Sequence, residues 1–300
     1  MGENCFPRVL VIGLVFLSAW PILASWGEAQ SLVIGVSRIP EDFNVLDSEH
    51  EAGWLARRAL LAGLTRVHRE PLQGNLSYRL AMADGLRIDK SRLHWVFRTR
   101  SDVMLSNGDK IGEDDLRFSM ERCLQKRMLV GVEAVKYQRL RSEFDGAGGW
   151  EIEFILAAPD AGFGAALAAC PIVHQRSAKL FGNDLGRGTN LVAAGRYELV
   201  DFYPGRQIVL RLTRYARSVG GGGPEELVIR GFDDDQAGLT ALRVGTISAL
   251  LWVSDTVFSK AERDETLMIE ECEGRRLVRR KSFNFGCKPD LDIADFKTEN

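Results

Sequence analysis

The stretch Ser101–Leu124, SDVMLSNGDKIGEDDLRFSMERCL, compresses a strand end, a turn and a helix start into two dozen residues. Before it, Leu93, Trp95, Phe97 and Thr99 alternate with His94, Val96, Arg98 and Arg100, the period of a half-buried strand. Asn107-Gly108 is a turn signal. After it, Leu116, Met120, Cys123 and Leu124 fall at i, i+4, i+7 and i+8, which predicts a helix with one apolar face. Glu113-Asp114-Asp115 then sits at the positive end of that helix, with Gly112 opening it. Carboxylates there accept free N–H groups and complement the helix dipole. Asp233-Asp234-Asp235 stands in the same relation to the helical pattern QAGLTALRVG. Neither triplet has the alternating ligands and glycine of a calcium loop, so both are expected to be caps.

Working outward, Ser31–Ser37 (SLVIGVS) is a short apolar run suited to a buried strand, and Pro40 opens a polar loop. From Gly53, apolar residues at Leu55, Ala59, Leu60 and Leu64 have helical spacing, with Gly63 as a stop. Trp150–Leu156 alternates like a strand. GRYELVDFY and RQIVLRL are two strands joined by the Pro204-Gly205 turn, and ELVIRGF follows the Gly220–Gly223 connector as another. Short strands alternating with helices, several of them in hairpins, imply an α/β domain with a mixed sheet.

At 45% hydrophobic residues and a net charge of -2, the composition is that of an ordinary globular protein without a nucleic-acid signature. Arg8, the apolar run Val9–Ala24 and the small residues around Ala29 have the layout of a cleavable secretory signal over residues 1–29. Cys123, Cys170, Cys272 and Cys287 follow it, and an oxidising compartment would allow three pairings among them. No Cys-x-x-Cys pair or histidine ligand spacing predicts a metal, and no cofactor is expected. Nucleophile elbows and phosphate loops are absent from the sequence, so no enzymatic activity is expected. The basic run Arg275, Arg276, Arg279, Arg280 and Lys281, with Glu270, Glu271 and Glu273 nearby, reads as a solvated face.

In order along the chain, several passages resemble the periplasmic solute-binding proteins of the oligopeptide/dipeptide class (family 5), the capture subunits of ATP-driven ABC importers. IGVSRIPEDFNVLDS resembles the first strand and the loop ending in Leu-Asp-Pro, with Ser48 replacing the proline. ALLAGLTRV resembles the Glu-Gly-Leu passage, with Ala62 in place of the acid. Leu80–Arg122 follows the family's longest signature, through a strand, a Ser-Asp-Gly-type turn and the helix after it. AAGRYELVDFYPGRQIVLRLTRYA resembles the Gly-Thr-Gly-Pro-Tyr strand pair, and ALRVGTISALLWV the Gly-Glu-Ile-Asp passage. Gly112, Arg196 and Ser248 depart from the usual threonine, proline and aspartate.

The resemblance implies a periplasmic-binding-protein-like first lobe with a mixed sheet, and an inserted small α/β domain. Residues 30–62 and 189–258 would form the main lobe, 63–188 the inserted domain, and 259–300 a tail resembling the start of a second lobe that is otherwise largely absent. It also implies a periplasmic protein that closes over a peptide or similar small solute and meets a membrane permease. Glu49, His50, Glu51 and Trp54, in the loop after the Leu-Asp motif, are the expected ligand contacts, and Tyr137 is a further candidate. A one-lobed homologue would instead be an interaction or scaffold protein without transport, self-associating through its exposed lobe face.

Overall fold

The computed structural model describes residues 31–47, 50–69, 76–141, 148–218, 223–272 and 275–281. The expected signal, Glu49, Cys287 and the connector at 219–222 lie outside the described residues. The strands are β1 (Ser31–Val36), β2 (Thr65–Arg69), β3 (Leu76–Leu80), β4 (Ala83–Ile88), β5 (His94–Thr99), β6 (Val132–Arg139) and β7 (Trp150–Leu156). They continue as β8 (Tyr197–Tyr203), β9 (Gln207–Leu212), β10 (Glu226–Gly231), β11 (Ala249–Leu251), β12 (Leu267–Cys272) and β13 (Arg275–Arg280). The helices are α1 (Glu51–Leu60), α2 (Glu113–Gln125), α3 (Phe163–Ala166), α4 (Gln175–Phe181), α5 (Arg214–Ser218), α6 (Asp235–Val244) and α7 (Asp255–Ala261).

The larger sheet has the order β12-β13-β11-β1-β10-β9-β8. β1 lies at its centre, parallel to both β10 and β11, and the remaining pairs are antiparallel. Strand period two sends Leu32, Ile34 and Val36 to one face, where they join Leu55, Ala56 and Ala59 of α1. Val33 points to the other face, against a core built on Leu239 and Leu242 of α6 and Val257 of α7. With both faces covered, β1 must be apolar almost throughout, as its sequence is.

A second, four-stranded antiparallel sheet, β4-β5-β7-β6, carries its own core. Trp95, Phe97 and Phe154 stack in it with Phe163 of α3, at ring separations between 5.2 and 6.3 Å. The expected face of β5 is the buried one: Trp95, Phe97 and Thr99 are inside while Arg98 is exposed. The β2–β3 hairpin forms a third small sheet beside α3.

Both acidic triplets cap helices. Gly108 turns the chain with φ 88°, a left-handed conformation that a side chain would strain. Gly112 is the N-cap of α2, and Asp115 accepts its N–H at 2.9 Å, the half of a capping box open to a residue without a side chain. The other Asp115 oxygen accepts the N–H of Gln175, first residue of α4, at 2.8 Å. One buried carboxylate therefore holds two helix starts together. Asp234 caps α6 through the Gln236 N–H at 3.0 Å, and Gly245 ends that helix in the left-handed region.

Three details differ from the sequence reading. Helix α1 stops at Leu60 with Leu61 extended, so Leu64 belongs to the start of the next hairpin rather than to the helix. The basic run is not simply a solvated face: it forms β13 and joins the large sheet through β11. Arg279 is buried there and pairs with Glu270 of β12 at 2.7 Å. The sheet thus runs without a break across the expected boundary at residue 258. Finally, Cys123 and Cys170 are both fully buried free thiols in the core of the four-stranded sheet, close enough to influence each other's titration. The contact with Cys123 holds the Cys170 proton far above the usual thiol range, and burial adds to that effect.

Replacing Asp115 with alanine strands two part-buried N–H groups, and a stability loss of about 1–3 kcal/mol is expected from chemical denaturation. A change below about 0.5 kcal/mol would contradict the double cap. Kept reduced, Cys123 and Cys170 should resist iodoacetamide in the folded protein and react once it is denatured. Rapid native-state labelling of either would show that the core is open.

Candidate functional site

The carboxyl ends of β1, β10 and β11 lie on the same side of the sheet because the three strands are parallel. The chain leaves β1 between its two neighbours, which makes a crevice of the kind that holds ligands in open α/β sheets. Ser37, just after β1, donates its hydroxyl to Glu51 at 2.5 Å and so ties this edge to the first turn of α1. At the end of β11, Trp252 has φ 55°, an uncommon conformation for a bulky side chain. Its ring meets Trp54 of α1 edge-on, with centroids 5.4 Å apart. The guanidinium of Arg58 lies over the Trp54 ring at 4.8 Å.

From Trp54 a cavity of about 700 Å³ runs along one flank of α1 toward the β2–β3 hairpin. That volume lies in the range of small-molecule sites. Leu61, Val67, Leu80, Met82 and Val103 supply apolar wall. The floor is laced by backbone: Ile172 N–H donates to Ala62 O at 2.9 Å, and Ala194 N–H donates to Ile172 O at 3.0 Å. Gly195 continues this lacing. A Cβ there would stand 2.1 Å from the Leu60 carbonyl oxygen, so only glycine lets the segment pass beneath the end of α1.

Charge on the lining has one sign. Arg57 and Arg58 come from the last turn of α1, Arg66 from β2, Arg100 from the end of β5, and Arg196 from just before β8. Among the described residues no carboxylate lines the cavity. Asp102 holds Arg100 from outside in a two-pronged pair at 3.0 and 2.8 Å. This pairing raises the Arg100 pKa, and the same hydrogen bond holds Asp102 below the usual carboxylate range. Burial pushes the Tyr215 phenol up, so at the cavity wall it is a neutral donor.

Of the residues expected from the sequence, Trp54 is on the cavity wall and Glu51 is engaged with Ser37. His50 is the exposed N-cap of α1 and makes no side-chain cap. Tyr137 is placed elsewhere, on β6 of the four-stranded sheet, with the Arg117 guanidinium 4.6 Å from its ring centroid. Burial pushes its phenol up to about 12. Trp252 and the five arginines were not anticipated, since they come from segments scattered over two hundred residues. Among the described residues no cluster of metal ligands is present, and no helix is long and apolar enough to cross a membrane.

The family model for bacterial extracellular solute-binding proteins, family 5 Middle, matches residues 77–289. The chain belongs to this family. Its members are binding proteins of ABC transporters, not enzymes. Solved structures similar to it include MoaA from A. tumefacien R10 in complex with mannopinic acid, at 17% identity and a TM-score of 0.66. The alignment covers 81% of this chain and 49% of that one. The oligopeptide-binding protein AppA from Bacillus subtilis, in complex with a nonapeptide, aligns at 19% identity and 0.64, covering 80% and 47%. NikZ from Campylobacter jejuni in complex with Ni(L-His) aligns at 20% and 0.63, covering 81% and 48%. At these identities the likeness establishes the shared periplasmic-binding-protein fold, and this family 5 chain spans about half the length of the structures it matches. No curated protein matches it.

Gly195→Ala drives a methyl group into the Leu60 carbonyl and should cost about 1–3 kcal/mol. It should appear as a lower denaturation midpoint with an unchanged denaturant slope. An unshifted midpoint would mean that the cavity floor is not held against α1 as described.

Proposed function

We propose that this family 5 chain is the capture component of an ABC-type importer, working in the periplasm behind a cleavable signal and binding a peptide or a similar small solute without chemistry. The observation that carries the reading is the cavity of about 700 Å³ on the flank of α1, which begins at Trp54 beside Trp252 and is walled by apolar side chains and arginines. Trp54 offers apolar or stacking cover to the solute, and Trp252 holds the indole in place from behind. Glu51 acts less as a contact than as the tie between α1 and the Ser37 loop. The nonapeptide and mannopinic acid complexes among its structural neighbours support a small organic solute. Presentation of the closed, loaded form to a permease follows from the general behaviour of two-lobed binding proteins.

Differential scanning fluorimetry with a broad peptide mixture tests the proposal. A ligand that binds only the folded chain raises the melting temperature in proportion to the logarithm of its excess over Kd. A dose-dependent rise that is weakened by Trp54→Ala is expected. Absence of any shift, together with a stable dimer in light scattering, would replace solute capture by an interaction role.

A further inference from the structure

We propose that the cavity selects anionic organic solutes, whose carboxylate or phosphate groups are held by the arginines that converge on it. The inference rests on the solute-binding reading and goes beyond it in naming the chemical class.

Five guanidiniums from four separate segments line one cavity, and among the described residues none of the lining is acidic. Part of this charge has a structural use. Arg57 and Arg58 stand in the last turn of α1, whose free carbonyls carry roughly half a negative charge. That offsets part of the charge of these two, and Arg58, Arg66 and Arg196 have further contacts of their own. Asp102 neutralises Arg100 alone, from a position off the cavity wall. Glu51, the nearest carboxylate on α1 itself, is already bonded to Ser37. The Arg57 guanidinium makes no hydrogen bond or ion pair among the described residues and stands half-buried at the wall. The other arginines need not be unpaired for the argument. A guanidinium has five N–H donors, and a partner on one edge leaves the other edge for a ligand.

Arginine is suited to this task because its planar fork meets a carboxylate or phosphate through two parallel hydrogen bonds. The apolar wall of Leu61, Val67, Leu80, Met82 and Val103 keeps the local dielectric low, which strengthens and focuses the field of the cations. It also gives the carbon skeleton of the solute a place to lie, capped by Trp54 and Tyr215. A cationic or zwitterionic peptide without acidic side chains would meet repulsion at its amino groups. An acidic peptide or an organic acid would not.

The test titrates the chain, at low salt, with Glu-Glu, citrate and glycerol phosphate, against Ala-Ala and Lys-Lys, by scanning fluorimetry and calorimetry. Glu-Glu and citrate report on carboxylate recognition and glycerol phosphate on phosphate. At least one acidic probe should bind about tenfold or more tightly than Ala-Ala, and Lys-Lys more weakly still. Arg57→Gln should weaken the acidic probe by about tenfold while the melting temperature of the unliganded protein changes little, since the Arg57 side chain makes no hydrogen bond or ion pair among the described residues and its share in the charge at the end of α1 is small. Affinity of the unmodified chain for that probe should also fall as sodium chloride rises, which keeps the test decisive even if a variant misfolds. Equal binding of Lys-Lys or Ala-Ala would overturn the charge selection and leave solute capture standing. Salt-insensitive binding would do the same. Failure of every acidic probe would overturn it too, and only if the broad peptide mixture were also inert would the capture reading fall with it.

Discussion

The fold depends on one six-residue strand accepting parallel neighbours on both sides. A parallel pair cannot be closed by a tight turn, so the chain must make a long excursion between its members. Between β1 and β10 that excursion runs through α1, the four-stranded sheet, α4 and the β8–β9 hairpin before β10 returns beside β1 in the register Ser31↔Glu226 to Val36↔Gly231. The second sheet is thus carried inside a crossover of the first. Because β1 is covered on both faces, any slip in register would exchange its two apolar sides and misplace α1. The position of α1 in turn sets Trp54 and the arginines of its last turn.

Much of this was legible in the residues. The Asn107-Gly108 turn, the alternating β5, β7, β8 and β9, and the acidic helix starts use local chemistry that leaves a direct trace in sequence. Asp234, as the N-cap of α6, and Asp115, in the first turn of α2, cap because a carboxylate at or just inside a helix start can reach a free N–H wherever the rest of the chain lies. Other elements were hidden for equally physical reasons. In β12–β13 a diagonal ion pair, Glu270 with Arg279, stands beside the apolar pair Ile269↔Val278, so charge and apolar contacts are mixed along the two strands. A run of arginines then reads as surface until its partner strand is known. The β2–β3 hairpin is short and mixed in composition, and it finds its apolar cover from α3, the turn Leu167–Ala169 and Trp95 of β5.

The cavity was the least legible feature. Trp54 could be suspected from its loop, but the arginines are contributed one or two at a time by α1, β2, β5 and the approach to β8. No spacing rule links such positions, since the fold brings them together only after two sheets and a hairpin have been placed. Arg196 illustrates the point. It departs from the family's usual proline, and in sequence that is merely an irregularity; in three dimensions it adds a cation to a wall that already holds four. Tyr137 lies apart from the cavity, on β6 of the small sheet, where its ring is a platform for Arg117.

The backbone at Trp252 also constrains how this protein can change over time. With φ at 55°, the residue occupies a region where β-branched side chains collide with their own main chain, while glycine and asparagine are comfortable. Neutral drift at this position therefore has few exits. Valine or isoleucine would have to unbend the end of β11, and glycine would keep the bend but remove the ring that braces Trp54. A lineage that abandoned solute capture would lose the reason to keep an indole there long before it lost the fold, so position 252 would register the loss of binding earlier than any residue of the sheet core.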